Sequence, residues 1–164
     1  MNSSQPIEAE RPELYDEAAD RAVPGCMLES KAAIDEARDM LRPDDFGHWR
    51  NGAVFSAILA VHDRGHPADV ITVGAELERR GQLGQVGGHQ YLDSLIGGAF
   101  YATSVGYYAD IVLDYSRRRA LEAVAKRVIQ AVSPDVTERE DLPQVCANLR
   151  RQLDAVAQYA ETGN

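Results

Sequence analysis

Apolar residues recur every three or four positions along most of the chain, which is the period of an α-helix that turns one side toward a core. Glycine, proline and capping residues interrupt this pattern at short intervals before residue 100. The pattern predicts five helices in this part, at residues 18–29, 31–41, 51–64, 72–81 and 90–96. The chain is therefore predicted to be helical throughout.

Particular residues set the predicted helix boundaries. Ser30 is a favourable N-cap for the second helix, and Thr72 is the predicted cap of the fourth. Gly81 ends the fourth helix, because glycine takes the left-handed conformation that a helix end commonly needs. Pro24 is expected in the opening turn of the first helix, or delays its start, because an interior proline would break it.

Two longer helices are predicted in the last third of the chain. Residues 104–132 contain no proline, and a helix of that length is a rod of roughly 40 Å. The run Ser133, Pro134 and Asp135 breaks it, and Asp141 with Pro143 in the first turn starts another helix. The predicted fold class is all-α, with a small orthogonal helix bundle followed by a long antiparallel helical hairpin. The predicted parts are a flexible leader at residues 1–16, the bundle at 17–103, the hairpin at 104–160 and a tail at 161–164.

The predicted core of the bundle collects the large apolar residues of its short helices. Its members are Phe46, Phe55, Ile58, Leu59, Leu77, Tyr91, Leu92 and Leu95.

The hairpin carries an apolar seam along both of its helices. A lone hairpin exposes much of its apolar surface, and exposed apolar area usually marks an association site. The seam predicts a homodimer or a higher oligomer, and the alternative is a hairpin that folds back on its own bundle. The predicted self-association residues are Leu121, Val124, Val128, Leu149, Leu153 and Val156.

Charge bears on the choice of partner. The chain has 26 acidic and 17 basic residues and a net charge of −9, and such a surface repels the phosphates that dominate nonspecific nucleic-acid affinity. We therefore predict little direct nucleic-acid binding. The densest basic run surrounds Arg118 and is either a solvated helix face or a contact for a partner. On the second interpretation the partner-binding residues are Tyr115, Arg118 and Arg119.

Catalytic and metal-binding patterns are missing from the sequence. The four histidines do not fall in H-E-x-x-H or H-x-x-E-H order, and no serine lies in a G-x-S-x-G context. We predict no catalytic residues, no cofactor and no metal site.

The cysteines and the hydropathy pattern bear on location. Cys26 and Cys146 lack metal-ligand spacing and are interpreted as small apolar residues in a reducing compartment, with a structural pair as the alternative. No apolar run is long enough for a membrane span, and no signal segment is present at the N-terminus. A cytoplasmic location without membrane contact is expected.

Short motifs follow one another at fixed intervals in the middle third. They read L-x-P-x-D-F, G-x-P-x-D-x-x-T, L-x-x-x-G-x-L and V-G-G-x-x-Y-L. Their order and spacing resemble the N-terminal domain of DnaB-type replicative helicases. The residues concerned are Leu41, Pro43, Asp45 and Phe46; Gly65, Pro67, Asp69 and Thr72; Leu77, Gly81 and Leu83; and Val86, Gly87, Gly88, Tyr91 and Leu92.

The resemblance covers residues 18–132, and residues 142–159 match only as a helical pattern. The flanking matches are Ala19, Ala22, Val23 and Gly25 on one side and Tyr107, Tyr108, Ile111, Val112, Arg118 and Leu121 on the other. The chain departs from the family pattern at Asp20, Pro24 and Asn51, where relatives commonly carry glutamate, leucine and histidine. It is therefore a divergent member.

The resemblance implies a non-catalytic assembly and protein-docking module in DNA replication. In the family, hairpins of neighbouring subunits pair into a ring-shaped collar, and the domain contacts the primase. The implied partners are further copies, other helicase subunits or a primase. The phosphate-binding motif G-x-x-x-x-G-K-[ST] is missing, since neither Lys31 nor Lys126 follows a glycine. The ATPase and unwinding activities of full-length relatives are therefore not assigned to these residues.

Two alternatives stand beside this interpretation. One is a free-standing adaptor or inhibitor that pairs with a helicase collar, and the other is an unrelated helical scaffold. The gene downstream of Asn164 discriminates the first alternative from a helicase fragment, because a fragment would be followed by a linker helix and an ATPase domain.

Overall fold

The fold was obtained as a computed structural model that describes residues 14–96, 102–131 and 142–161, apart from the side chains of residues 142 and 159–161. Within these ranges the chain is helical and contains no strand, which confirms the all-α prediction. The helices are α1 Glu17–Glu29, α2 Lys31–Met40, α3 Trp49–Asp63, α4 Val70–Arg79, α5 Leu83–Val86, α6 Gly88–Ile96, α7 Val105–Ala131 and α8 Leu142–Glu161. Short 3-10 turns occupy Pro43–Asp45 and Ala102–Ser104.

Local capping explains most of the helix boundaries. The Ser30 side chain accepts a hydrogen bond from the backbone N–H of Ala33 at 3.4 Å, as predicted for the start of α2. The start of α4 was predicted wrongly, because its cap is Asp69 and not Thr72. These two residues form a reciprocal capping box, in which each side chain accepts from the backbone N–H of the other. The four-residue helix α5 was also missing from the prediction.

Pro24 lies inside α1 and not in its opening turn, which corrects the expectation from sequence. Its missing N–H removes the bond that the carbonyl of Asp20 would otherwise receive within the helix. The helix persists because nine of its residues are buried, so that tertiary packing outweighs the local cost of the proline.

The core of the bundle gathers around α1 and α3. α1 contacts α2, α3, α6 and α7, and α3 contacts α4. The rings of Phe46 and Phe55 meet there with centroids 5.1 Å apart. Of the eight predicted core residues, six are buried, whereas Leu59 and Tyr91 are half-buried at the margin.

α7 belongs to the bundle at one end and to the hairpin at the other. Its first turns contribute Val105, Ala109 and Val112 to the core. Its last turns, at residues 127–131, share a cleft with residues 145–152 of α8, so the two helices run antiparallel. Val124 and Val145 are buried without belonging to the core of the bundle. The hairpin is therefore observed, while its predicted break at residues 133–135 lies outside the described residues.

Candidate protein-interaction surface

The six predicted self-association residues fall into two groups on the hairpin. Val124 is buried, and Leu149 and Val156 are half-buried. The other three are exposed, and their exposed fractions are 52% for Leu121, 38% for Val128 and 44% for Leu153. Helix periodicity identified the apolar positions but not the direction in which each one points.

The sequence reasoning missed Ile129, which is 68% exposed. Its position next to Val128 is the signal that was available, since two adjacent apolar residues on a helix cannot both face one partner helix. We call Leu121, Val128, Ile129 and Leu153 the exposed apolar set. Large side chains in contact with water on a helix pair are typical of a surface that another protein covers.

The three predicted partner-binding residues differ in their surroundings. Arg118 is exposed, and its Nε lies 2.7 Å from Oδ2 of Asp114, one turn earlier on α7. Its guanidinium carbon lies 5.9 Å from the ring centroid of the half-buried Tyr115. Arg119 instead donates to the carbonyl oxygens of Leu14 at 2.7 Å and Asp45 at 2.5 Å. Arg118 is thus available to a partner, whereas the Arg119 side chain is engaged within the chain.

Asp45 joins the hairpin to the bundle. Its Oδ2 accepts from the backbone N–H of Arg42 at 2.7 Å, and its Oδ1 accepts from the hydroxyl of Ser116 on α7 at 2.7 Å. Together with the bond from Arg119, these contacts fix the direction in which α7 leaves the bundle. The sequence identified Asp45 only as part of the L-x-P-x-D-F motif. It did not predict the contact with Ser116, because the two residues are far apart along the chain.

The comparison with known families identifies the fold. Residues 12–114 match the family described as the DnaB-like helicase N terminal domain. This chain belongs to that family. Its all-α bundle, from which α7 extends into the hairpin, is therefore a DnaB-like N-terminal domain.

Relatives agree with this assignment. The chain is 42% identical over 134 residues to the replicative DNA helicase DnaB of Mycobacterium leprae, covering 79% of this chain and 22% of that helicase. It is 34% identical over 145 residues to the DnaB helicase of Geobacillus stearothermophilus, covering 88% and 31% respectively. The crystal structure of the N-terminal domain of DnaB helicase from Mycobacterium tuberculosis superimposes with a TM-score of 0.81 at 39% identity, over 88% of this chain and 99% of that one. The chain thus spans under a third of the length of these two helicases.

A buried polar network accounts for two departures of this DnaB-like domain from the family pattern. The Asp20 carboxylate on α1 accepts from the backbone N–H groups of Gly47 at 2.9 Å and His48 at 3.0 Å and from Nδ2 of Asn51 at 2.7 Å. The hydroxyl of Tyr91 donates to Oδ1 of Asn51. Asp20 and Asn51 are both buried, so their side chains bind α1, α3 and α6 together rather than facing a substrate.

A second buried carboxylate, Glu76, lies among three arginines of the domain. Its oxygens lie 2.9 Å from Nη2 of Arg64, 2.8 Å from Nη2 of Arg79 and 2.7 Å from Nε of Arg80. Hydrogen bonds from Arg79, and then from Arg80 and Arg64, lower the pKa of Glu76 well below its ordinary value of 4.5, against the opposing effect of burial. Glu76 is therefore ionised at neutral pH and holds the ends of α3 and α4 together.

This lowered pKa predicts a pH-dependent effect of Glu76→Gln. A carboxyl group whose pKa falls on folding stabilises the folded state above its unfolded pKa and loses that effect as the pH falls toward the folded value. The wild type should therefore exceed Glu76→Gln in free energy of unfolding most clearly at pH 7, and the difference should shrink below about pH 4.5. Urea titrations across this range measure it, and the exposed Glu78→Gln is the control. A difference that does not change with pH would contradict the assignment.

The remaining chemistry of the described residues is limited. They contain no group of three side chains able to hold a metal ion. In the same ranges, no helix combines the length and the apolar character that crossing a membrane requires. Cys26 and Cys146 do not form a disulfide. Burial, with a smaller effect of Glu29, raises the pKa of the Cys26 thiol to about 11, which fits the interpretation of Cys26 as an apolar residue; Cys146 is exposed.

Proposed function

We propose that this chain is the non-catalytic assembly and protein-docking domain of a DnaB-type replicative helicase, and that hairpin α7–α8 is the surface that binds its partners. The observation that carries the proposal is the exposed apolar set on α8, which packs on α7, and on the part of α7 that extends beyond the bundle. In a monomer these side chains would stay in water, and covering them with another protein is favourable. Family membership supplies the class of complex in which such covering takes place.

The first proposed partner is a second copy of the domain. Leu121 and Val128 lie two turns apart on one side of α7, and Leu153 adds an apolar contact from α8. An antiparallel hairpin with apolar residues on both helices can pair with its own copy, because each copy offers the same self-complementary patch. The domain would then act in assembling the helicase oligomer.

The second proposed partner is a primase or another helicase subunit with an acidic contact surface. The two helical parts of the outer hairpin, at 115–131 and 142–161, have seven basic and three acidic residues, whereas residues 132–141 between them have one basic and four acidic residues. The helical parts are therefore positive, although the chain as a whole has a net charge of −9. Acidic groups of a partner would orient on Arg118, while apolar contacts supply most of the affinity.

Leu153→Asp tests self-association. A charge placed in an apolar interface is costly unless it is paired there, so the variant should dissociate at concentrations at which the wild type sediments above its chain mass of 18.0 kDa. We expect the association constant to fall by about tenfold or more. Sedimentation velocity over a concentration series measures this change.

Ala155→Asp is the matched control for that experiment. Ala155 is also exposed on α8, and two positions along a helix turn it to nearly the opposite side from Leu153. It should leave the association constant unchanged. Equal dissociation by both variants, or by neither, would argue against an interface at Leu153.

Arg118→Glu tests the docking of a primase. Reversing an exposed charge at an interface rim lowers the association rate and makes the affinity less sensitive to salt. We expect weaker binding of the full chain to the primase of the same organism, measured by titration calorimetry. Arg150→Glu, an exposed arginine on α8, is the control for net charge. Arg119 is unsuitable, because its contacts with Leu14 and Asp45 hold the fold. If Arg118→Glu bound the primase with the affinity of the wild type, the primase would not bind at this surface.

A further inference from the structure

A groove lies on the bundle along the outer side of α3, and none of its lining comes from α7 or α8. One wall is the 3-10 turn at Pro43–Asp45, and the other is formed by Arg80 and Gln82 after α4. Trp49 stands at the start of the groove and Ser56 near its other end, two helical turns or about 10 Å farther on. The floor between them consists of Gly52 and Ala53.

The groove is deep at Gly52 because glycine has no side chain to fill it. A Cβ on Gly52 would collide with the carbonyl oxygen of Pro43. This close approach of α3 to the 3-10 turn fixes the depth of the groove in the folded chain. The site is therefore formed in advance and does not depend on a rearrangement.

Trp49 is an apolar anchor at the start of the groove. It is the only tryptophan of the chain, and 51% of its surface is exposed. Tryptophan is strongly enriched among the few residues that supply most of the energy of protein interfaces, where its large ring is covered by a partner. Exposure of such a ring beside a preformed depression indicates a contact for an apolar side chain.

Arg80 provides the polar end of the groove. Its Nε donates to Glu76 at 2.7 Å and its Nη1 donates to the hydroxyl of Ser56 at 3.1 Å. Its Nη2 also donates to the carbonyl oxygen of Ser56 at 3.5 Å. These three bonds hold the guanidinium in place and leave two of its five N–H groups for a ligand. Arg64 and Arg79 bind the same carboxylate but do not line the groove, so Arg80 is the cation that the groove presents to a ligand. Asp44 adds a negative charge on the wall formed by the 3-10 turn.

We propose that this groove docks a protein segment that places an apolar side chain against Trp49 and a carboxylate against the Arg80 end. The charge at the arginine end selects an acidic group, and the preorganised guanidinium binds it at little entropic cost. A protein segment fits better than single-stranded nucleic acid, because it can place one carboxylate at Arg80 and an uncharged part beside Asp44. A phosphate backbone has a charge at every nucleotide, which Asp44 and the net charge of −9 oppose. The groove is separate from the hairpin, so the failure of either proposal leaves the other intact.

Selection from a displayed library of short random peptides tests the proposal. The library is panned on the full chain after depletion on Trp49→Ala. We expect enriched sequences to combine an aromatic or aliphatic residue with a nearby Asp or Glu. Synthetic copies should change the emission of Trp49 in wild type, and anisotropy of the labelled peptide should show binding to Trp49→Ala weakened by about tenfold or more. Replacing the acidic residues of the peptide by lysine should weaken binding to wild type similarly.

Two controls make the result decisive. Ile71→Ala removes an apolar side chain of α4 that is also largely exposed, with 77% of its surface in water, but lies outside the groove, and it should bind the peptide as wild type does. The thermal midpoint of Trp49→Ala should match that of wild type, since half of the ring is already in water. The proposal is overturned if no sequence is enriched on wild type over Trp49→Ala. It is also overturned if oligothymidine binds through Trp49 and displaces the selected peptides, which would make the groove a nucleic-acid site.

Discussion

Replacing Phe55 by alanine is expected to lower the free energy of unfolding by about 3–5 kcal/mol. The ring is fully buried in the middle of α3 and packs against Phe46. Its removal loses the transfer free energy of the ring and leaves a cavity, because α1 and α4, which contact α3, cannot close around it without moving as whole helices. An effect of this size is a large fraction of the stability of a small domain.

Urea unfolding followed by circular dichroism measures the Phe55 effect. Tyr107→Ala is the matched control, because it removes an aromatic ring that is 68% exposed on α7. The control should change the stability by no more than about 0.5 kcal/mol. If Phe55→Ala unfolded at the wild-type midpoint, Phe55 would not lie in the core described above.

Asp20→Ala is expected to destabilise the bundle by about 3 kcal/mol or more. The carboxylate accepts three hydrogen bonds in a buried position, two from the backbone of residues 47 and 48 and one from Asn51. Hydrogen bonds to a charged group contribute about 1.5–3 kcal/mol each, and donors left unpaired in the interior cost their full desolvation. The loss should also release the turn that leads into α3.

The same unfolding experiment distinguishes this network from a general effect of charge. Asp93→Ala removes an exposed carboxylate on α6 and should stay within about 0.5 kcal/mol of wild type. A further test is hydrogen exchange at the backbone N–H groups of Gly47 and His48, which should be fast in Asp20→Ala and slow in wild type. Equal exchange in both proteins would show that Asp20 does not hold this turn.

Local signals in the sequence predicted the helices well, because caps and breakers act within a few residues. Ser30 and Gly81 mark their helix ends as expected. Pro24 was misplaced because burial of α1 overrides a local penalty. Asp69 was missed as a cap because Asp and Thr are both good capping residues, and only the folded chain shows which of the two starts α4.

The candidate sites were less predictable, since they depend on residues far apart in the chain. The pairs of Glu76 with Arg79 and Arg80 follow helical spacing and could have been inferred, whereas Arg64 comes from another helix. The contact between Asp20 and Asn51 joins two helices, and no period in the sequence connects them. On the hairpin, periodicity found the apolar positions, but the separation of Val124 from the exposed Leu121 required the packing of α8.

The mass of the wild-type chain in solution shows whether hairpin α7–α8 associates with its own copy. Light scattering on the eluting protein at tens of micromolar should give at least twice the chain mass of 18.0 kDa. The mass should fall toward that of one chain on dilution. A mass of one chain at every concentration would contradict self-assembly through the exposed apolar set.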